Sequence, residues 1–350
     1  METNVSQAGH PESRTSDIGK LPFGKVFSDH MLVADYANGK WSEGKILPFR
    51  DFSLSPANLA LHYGQSIFEG IKAYKDQQGN PVIFRPKMNL ERFNKSAERM
   101  AMPAISESLF IGGMKELILT DKDWIPVMEG ASLYIRPFMF ATDSTLGVRV
   151  SDTYKFVIIT SPTGPYFNKP IKLYVQDKYV RAFPGGTGFA KSAGNYGACL
   201  LPTVLVKKMG FDQILWTDGQ EHKYLQECGT MNLFVVLGDS VMTPDLDQGT
   251  ILAGVTRDSV IHLLRDRGIR VEERPISIHE VVEGWKSGQV KEVFGTGTAA
   301  SIVFVDELAY REHHIKLNPA DWKIAPSLLE ELNGIHTGRI NDTHGWNLKA

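Results

Sequence analysis

Three prolines fall within the ten residues Ser161 to Pro170, close to the middle of a chain of 350. Proline fixes φ and removes a backbone donor, so a run holding Pro162, Pro165 and Pro170 interrupts helix and strand alike. Single hydrophobic cores stop growing near roughly 250–300 residues, so a chain of this length with such a break is expected to form two lobes. The boundaries read as a loose polar tail over 1–20, a smaller N-terminal α/β domain over 21–160, a linker over 161–175 and a larger C-terminal domain over 176–350.

Within the first half, 81–84 and 155–160 have strand composition, and 88–100 and 107–119 are amphipathic. Leu90, Phe93, Ala97 and Met100 recur at helical spacing, which places Glu91, Arg92 and Lys95 off the buried stripe. The second half alternates strand-like runs at 211–217, 232–237, 291–294 and 301–305 with helical ones. Thr256 is placed to cap a helix with an apolar face of Val260, Ile261 and Leu264, and Gly268 to end it in the left-handed conformation. The fold class is α/β (α+β).

The 38 basic and 40 acidic side chains nearly cancel. No field reaches toward nucleic acid or an anionic membrane, so partners are expected to be small molecules or copies of the chain. Cys199 and Cys228 are too few for a disulfide framework and lack paired metal-ligand spacing. They read as small buried apolar residues of a cytoplasmic protein without a metal site. No run approaches the ~18 apolar residues that span a bilayer.

The densest chemical signal is 185–197, where Gly185, Gly186, Gly188, Gly194 and Gly197 surround Lys191. Two chemistries use such a segment. Gly185 to Ser192 departs from the phosphate-cradling G-x-x-x-x-G-K-[ST] pattern at Ala190, and the preceding 178–184, with Lys178, Arg181 and Pro184, makes a poor buried strand. Alternatively, glycines let backbone approach a lysine amine that condenses with an aldehyde. Taken alone, the segment reads first as an exposed lysine in a loop.

Ordered matches along the chain decide between these. Phe23-Gly24 to Asp29-His30-Met31, Leu61-His62-Tyr63 to Phe68-Glu69-Gly70, Phe84-Arg85-Pro86 to Asn89-Leu90-Glu91-Arg92, and Tyr134-Ile135-Arg136-Pro137 cover the first half. Lys191 to Tyr196, Glu227-Cys228-Gly229-Thr230-Met231-Asn232, Gly254-Val255-Thr256-Arg257 and Gly295-Thr296-Gly297-Thr298-Ala299 cover the second. From Phe23 to about Gly338 the chain resembles the branched-chain amino acid aminotransferases, pyridoxal 5'-phosphate (PLP) enzymes of fold type IV. That resemblance implies a two-domain fold with the cofactor at the domain interface, and a homodimer in which Tyr63 reaches the neighbouring site.

By the same resemblance, Lys191 is the Schiff-base lysine and Glu227 the carboxylate facing the pyridine nitrogen, where a charge-assisted hydrogen bond keeps the ring protonated. Tyr196 bonds the cofactor's phenolic oxygen, and Thr230 stands near ring and lysine. Arg92 takes the phosphate bidentately, with the amides of Val255 and Thr256 at a helix N-terminus and the Thr298 hydroxyl. Tyr63, Phe68, Tyr134 and Tyr166 line the substrate pocket, Arg136 receives glutamate's distal carboxylate, and the Thr298-Ala299 turn offers amides to the α-carboxylate. The implied reaction moves the amino group between leucine, isoleucine or valine and 2-oxoglutarate in a ping-pong cycle. Rival readings of the same fold are a D-amino acid aminotransferase or an aminodeoxychorismate lyase. Ala300 and Val303 stand where some mammalian relatives carry a C-x-x-C redox switch, so thiol regulation of that kind is not expected.

Overall fold

A computed structural model describes residues 23–165, 167 and 169–350. The tail expected over 1–20 and the pocket residue Tyr166 lie outside the described residues. The chain divides into two compact units: Phe167–Leu332 forms one, and the residues before it, joined by Asn333–Ala350, form the other.

The first unit is built on β1 (His30–Ala37), β2 (Lys40–Trp41), β3 (Lys45–Pro48), α1 (Leu59–Tyr63), β4 (Ser66–Phe68), β5 (Ile71–Lys75), β6 (Pro81–Phe84), α2 (Pro86–Arg99), α3 (Gly113–Thr120), β7 (Ser132–Ala141) and β8 (Tyr154–Thr163). Its sheet runs from the C-terminal strand Asn347–Lys349 through β6, β5, β7, β8 and β1 to β2, with β3 on β1 and β4 on β7. Phe93 and Ala97 of α2 are fully buried with Phe110, Ile135 and Phe156 against one face of this sheet. Each of the phenylalanine and isoleucine side chains contributes about 1.5–3 kcal/mol by leaving water.

The second unit contains β9 (Ile171–Val175), α4 (Ala193–Ala198), α5 (Leu200–Lys208), β10 (Gln213–Thr217), β11 (Leu225–Cys228), β12 (Met231–Leu237), β13 (Ser240–Thr243), α6 (Val255–Asp266), β14 (Arg270–Glu273), α7 (Ile278–Lys286), β15 (Val290–Gly297), β16 (Ser301–Tyr310) and β17 (His313–Lys316), and α8 (Ile324–His336) begins in it. Strand pairing follows a closed circuit, β11 to β10, β9, β16, β15, β12 and back to β11. Closure leaves no strand of the ring with an unpaired edge. Its apolar residues, among them Leu173, Leu215, Leu233, Val293 and Val305, form a core of their own.

The expected boundaries shift in three places. The proposed linker 161–175 contributes its first residues to β8, where Pro162 pairs with Leu133 beyond Ile158, the last β8 partner of β1, and its last residues to β9. Residues 333–350, assigned to the C-terminal domain by position in the chain, belong to the first unit because Asn347, Leu348 and Lys349 add a strand to β6. Finally, α6 starts one residue before Thr256. Its N-cap is Gly254, at φ −71° and ψ 131°, where a Cβ would strike the Asn232 side chain. Gly268 closes the helix at φ +71°, as its position predicts.

Glu292 on β15 is 3% exposed and accepts the amides of Lys323, Ile324 and Ala325 at 2.6, 2.8 and 2.8 Å. It caps the positive end of α8 from another element. Glu292→Ala strands three donors and is expected to cost about 2–3 kcal/mol, read as a lower urea midpoint.

Candidate active site

The glycine-rich segment is folded by Asn195, whose Nδ2 donates to the carbonyls of Thr187 and Ala190, both at 2.8 Å, while its Oδ1 accepts the Thr187 hydroxyl at 2.6 Å. Gly188 is required for contact: a Cβ there would meet Ala182 and the Thr250 carbonyl. No strand leads directly into the segment, β9 having ended at Val175, and the helix that follows Ser192 spans only Ala193–Ala198. The strand–loop–helix of a nucleotide cradle is therefore not formed.

Instead the extended residue Ser192 and the first turns of α4 return Tyr196 toward Lys191. Lys191 Nζ donates to Tyr196 Oη at 2.8 Å, and Lys191 is half-buried. Tyr196 lines a cleft together with Arg181, Glu227, Thr230 and Leu252. Four of the residues expected around one cofactor, Lys191, Tyr196, Glu227 and Thr230, are thus assembled within one unit.

Glu227 is 4% exposed on β11. Its Oε1 accepts the Leu252 amide at 2.7 Å and lies 3.3 Å from Arg181 Nη2. Nearby, the amides of Val255 and Thr256 open α6 with no side-chain cap. Such an end favours an anion through its unpaired donors and the helix dipole. Thr298 and Ala299 form the turn between β15 and β16, closed where Gly297 pairs with Ser301.

Cys228 is fully buried in the core, as expected, but Cys199 is half-buried, lines the cleft and donates from Sγ to the Asn195 carbonyl at 3.1 Å. Burial raises the thiol pKa of both, so both are protonated near neutral pH.

In the first unit, Tyr134 and Arg136 point to one face of β7, next to Phe68 on β4. Arg136 Nη2 donates to Tyr134 Oη at 3.0 Å, and its guanidinium lies 4.6 Å from the centre of the Phe68 ring. Its Nε is buried with no partner among the described residues. The packing explains Gly70, where a Cβ would collide with the Tyr134 hydroxyl. Tyr63 is 41% exposed at the end of α1, with its hydroxyl donating to the Leu146 carbonyl.

Arg92 corrects the sequence reading. It does not project from α2 but lies 7% exposed beside Asn89 and Ser96, which are buried as well. Its Nε and Nη2 donate to the two carboxylate oxygens of fully buried Glu69 at 2.7 and 2.8 Å. A bidentate contact with phosphate would have to use the Nη1–Nη2 edge rather than the edge that Glu69 holds. Apolar periodicity does not register polar residues that are buried through one another, so the helical stripe leaves Arg92 outside. Sequence reasoning also misses Glu69, Asn195, Arg181 and Leu252 as site-building residues. Glu69 stands inside a matched motif without a role, and Arg181 reads only as a charge unfit for a buried strand.

Among the described residues, no cluster of His, Cys, Asp and Glu could hold a metal ion, and no helix is long and apolar enough to cross a membrane. The family model of class IV aminotransferases matches residues 66–308. A probable branched-chain-amino-acid aminotransferase of Staphylococcus epidermidis (strain ATCC 12228 / FDA PCI 1200) is 48% identical over 340 residues, which are 95% of this chain and 94% of that protein. Branched-chain-amino-acid aminotransferase 2 of Bacillus subtilis (strain 168) is 46% identical over 335 residues, covering 94% and 92%. Among solved structures, the branched-chain amino acid aminotransferase from Escherichia coli matches with a TM-score of 0.74 at 26% identity, covering 92% of this chain and 98% of that one. With family model, full-length relatives and fold in agreement, the chain belongs to the class IV aminotransferases, and within them to the branched-chain-amino-acid aminotransferases of fold type IV.

Proposed function

We propose that the protein transfers the amino group between leucine, isoleucine or valine and 2-oxoglutarate, using PLP held by Lys191. The observation that carries this reading is the 2.8 Å contact from Lys191 Nζ to Tyr196 Oη at a cleft that Glu227 also lines. These groups fit the cofactor. Lys191 supplies an amine for its aldehyde, Tyr196 a hydroxyl for its phenolic oxygen, Glu227 an acceptor for its ring N–H, and α6 a positive end for its phosphate. Thr298 would add a hydroxyl to that phosphate set, Thr230 lines the same cleft, and Arg92 is the phosphate ligand that the family pattern implies. When bound, PLP supplies an electron sink for the bond broken at the substrate Cα.

The remaining chemistry belongs to the chain. Lys191 Nζ would be the base that takes and holds the substrate Cα proton, and Tyr196 Oη, 2.8 Å away, holds that nitrogen in place. The Thr298–Ala299 turn offers amides to the α-carboxylate. In the first unit, Tyr63, Phe68 and Tyr134 are the aromatic candidates for contact with an aliphatic side chain, the two tyrosines also carrying polar tips. Arg136 meets glutamate's second carboxylate, which needs a charge partner once it leaves water.

The pairing with a second copy rests on Leu200, Leu201 and Val204 of α5, exposed by 66%, 59% and 49%. Such an apolar face marks an association surface. Free thiols at Cys199 and Cys228 fit the reducing cytoplasm.

The test is turnover of L-leucine with 2-oxoglutarate against D-alanine. Leucine is expected to react and D-alanine to stay at background, and the reverse order would overturn the reading. Arg136→Ala is expected to raise KM for glutamate and 2-oxoglutarate about 10- to 100-fold, the loss of one charged contact worth about 1.5–3 kcal/mol, with a much smaller change for leucine.

A further inference from the structure

The two oxygens of Glu227 are treated unequally. Oε1 accepts the Leu252 amide at 2.7 Å and sits 3.3 Å from Arg181 Nη2, whereas no donor among the described residues meets Oε2. Arg181 is itself buried, its side chain 8% exposed. Its guanidinium donates to the Thr250 carbonyl and, at 3.5 Å, to the Gly188 carbonyl, and its Nε has no acceptor among the described residues. Glu227 is the one acid with which it pairs there. A buried cation with a single carboxylate partner, itself buried, constrains that partner by charge and by direction.

Resting on the cofactor reading above, we infer that Arg181 is a positioning residue for Glu227. With the Leu252 amide it pins Oε1 inward, which leaves Oε2 as the oxygen presented to the ring N–H, and it supplies the counter-charge that keeps the proton on the ring rather than on the carboxylate. The loop carbonyls of Gly188 and Thr250 aim the guanidinium, so the glycine-rich segment serves the glutamate as well as the lysine. Loss of the cation raises the proton affinity of a buried carboxylate, and the proton of the N–H shifts toward Oε2.

The experiment loads wild type, Arg181→Met and Arg181→Lys with PLP labelled with 15N in the ring and follows the ring-nitrogen shift from pH 6 to 9. Methionine matches the length of the stem and removes the charge; lysine restores charge with shorter reach. Wild type is expected to hold the protonated-ring shift across the range. R181M should move toward the unprotonated shift, with kcat about 10- to 100-fold lower and KM for leucine within about twofold, the pattern of an interaction felt in the transition state. R181K should restore the protonated shift over a narrower pH range. A wild-type shift and kcat in folded, loaded R181M would overturn the inference. If R181M does not load, R181K decides: a narrowed range supports the inference, and a range equal to wild type overturns it. Failure of wild type to bind the labelled cofactor would instead remove the reading on which the inference rests.

Discussion

Lys191→Ala is expected to lower leucine transamination by about 10⁴-fold or more while leaving the fold intact. The variant loses both the amine that anchors the cofactor and the base that moves the Cα proton, and positioned proton transfer alone contributes about 10²–10⁴-fold. Lys191 is half-buried, and Asn195 holds the loop to α4 through Thr187 and Ala190 whether or not the lysine is present, so little structure depends on it. Circular dichroism and the melting temperature should match wild type. Borohydride should no longer fix PLP to the protein, and added primary amines should restore a small part of the proton-transfer rate. Retention of wild-type turnover in this variant would remove Lys191 from the reaction.

Glu69→Ala is expected to have the largest effect on stability. The carboxylate is fully buried and accepts Arg92 Nε at 2.7 Å, Arg92 Nη2 and Asn89 Nδ2 at 2.8 Å, and the Gly70 amide at 3.1 Å. Removing it leaves a guanidinium buried without its counter-ion, a change that costs about 3–5 kcal/mol. The double variant Glu69→Leu with Arg92→Met replaces the pair by apolar groups and should recover most of that loss. Cofactor affinity then separates two roles of Arg92: if the arginine also binds phosphate, the double variant is stable yet weakened in PLP binding. A wild-type unfolding midpoint for Glu69→Ala would sink the structural role assigned to the pair.

Much of the architecture follows from patterns local in the chain. β6 falls on Pro81–Phe84, and Phe93 and Ala97 occupy the buried side of α2, because each element's period is set by its own residues. What escapes a local reading is pairing at a distance. Residues 333–350 join the first unit through a strand laid against β6, a partnership separated by more than 250 residues that no local period encodes. The site divides in the same way. Lys191 and Tyr196 stand five apart in the chain, so one extended residue and a short helix explain their contact. Glu227, Leu252 and Arg181 come from three separated segments, and only the folded ring shows that the arginine is the glutamate's counter-ion. Arg92 shows the limit of a helical wheel, since a polar side chain is buried when a partner such as Glu69 is buried with it.

The closed ring of strands has a consequence for ligand binding. β11 hydrogen-bonds to β10 on one side and β12 on the other, with Glu227 opposite Asn232 and Cys228 opposite Leu215 and Met231. To fray, this segment must break two ladders at once, so the backbone beneath the acid is rigid before any small molecule arrives. The entropy of ordering it is spent during folding rather than at the moment of capture, and differences in affinity among ligands will report on side-chain contacts instead of on strand formation.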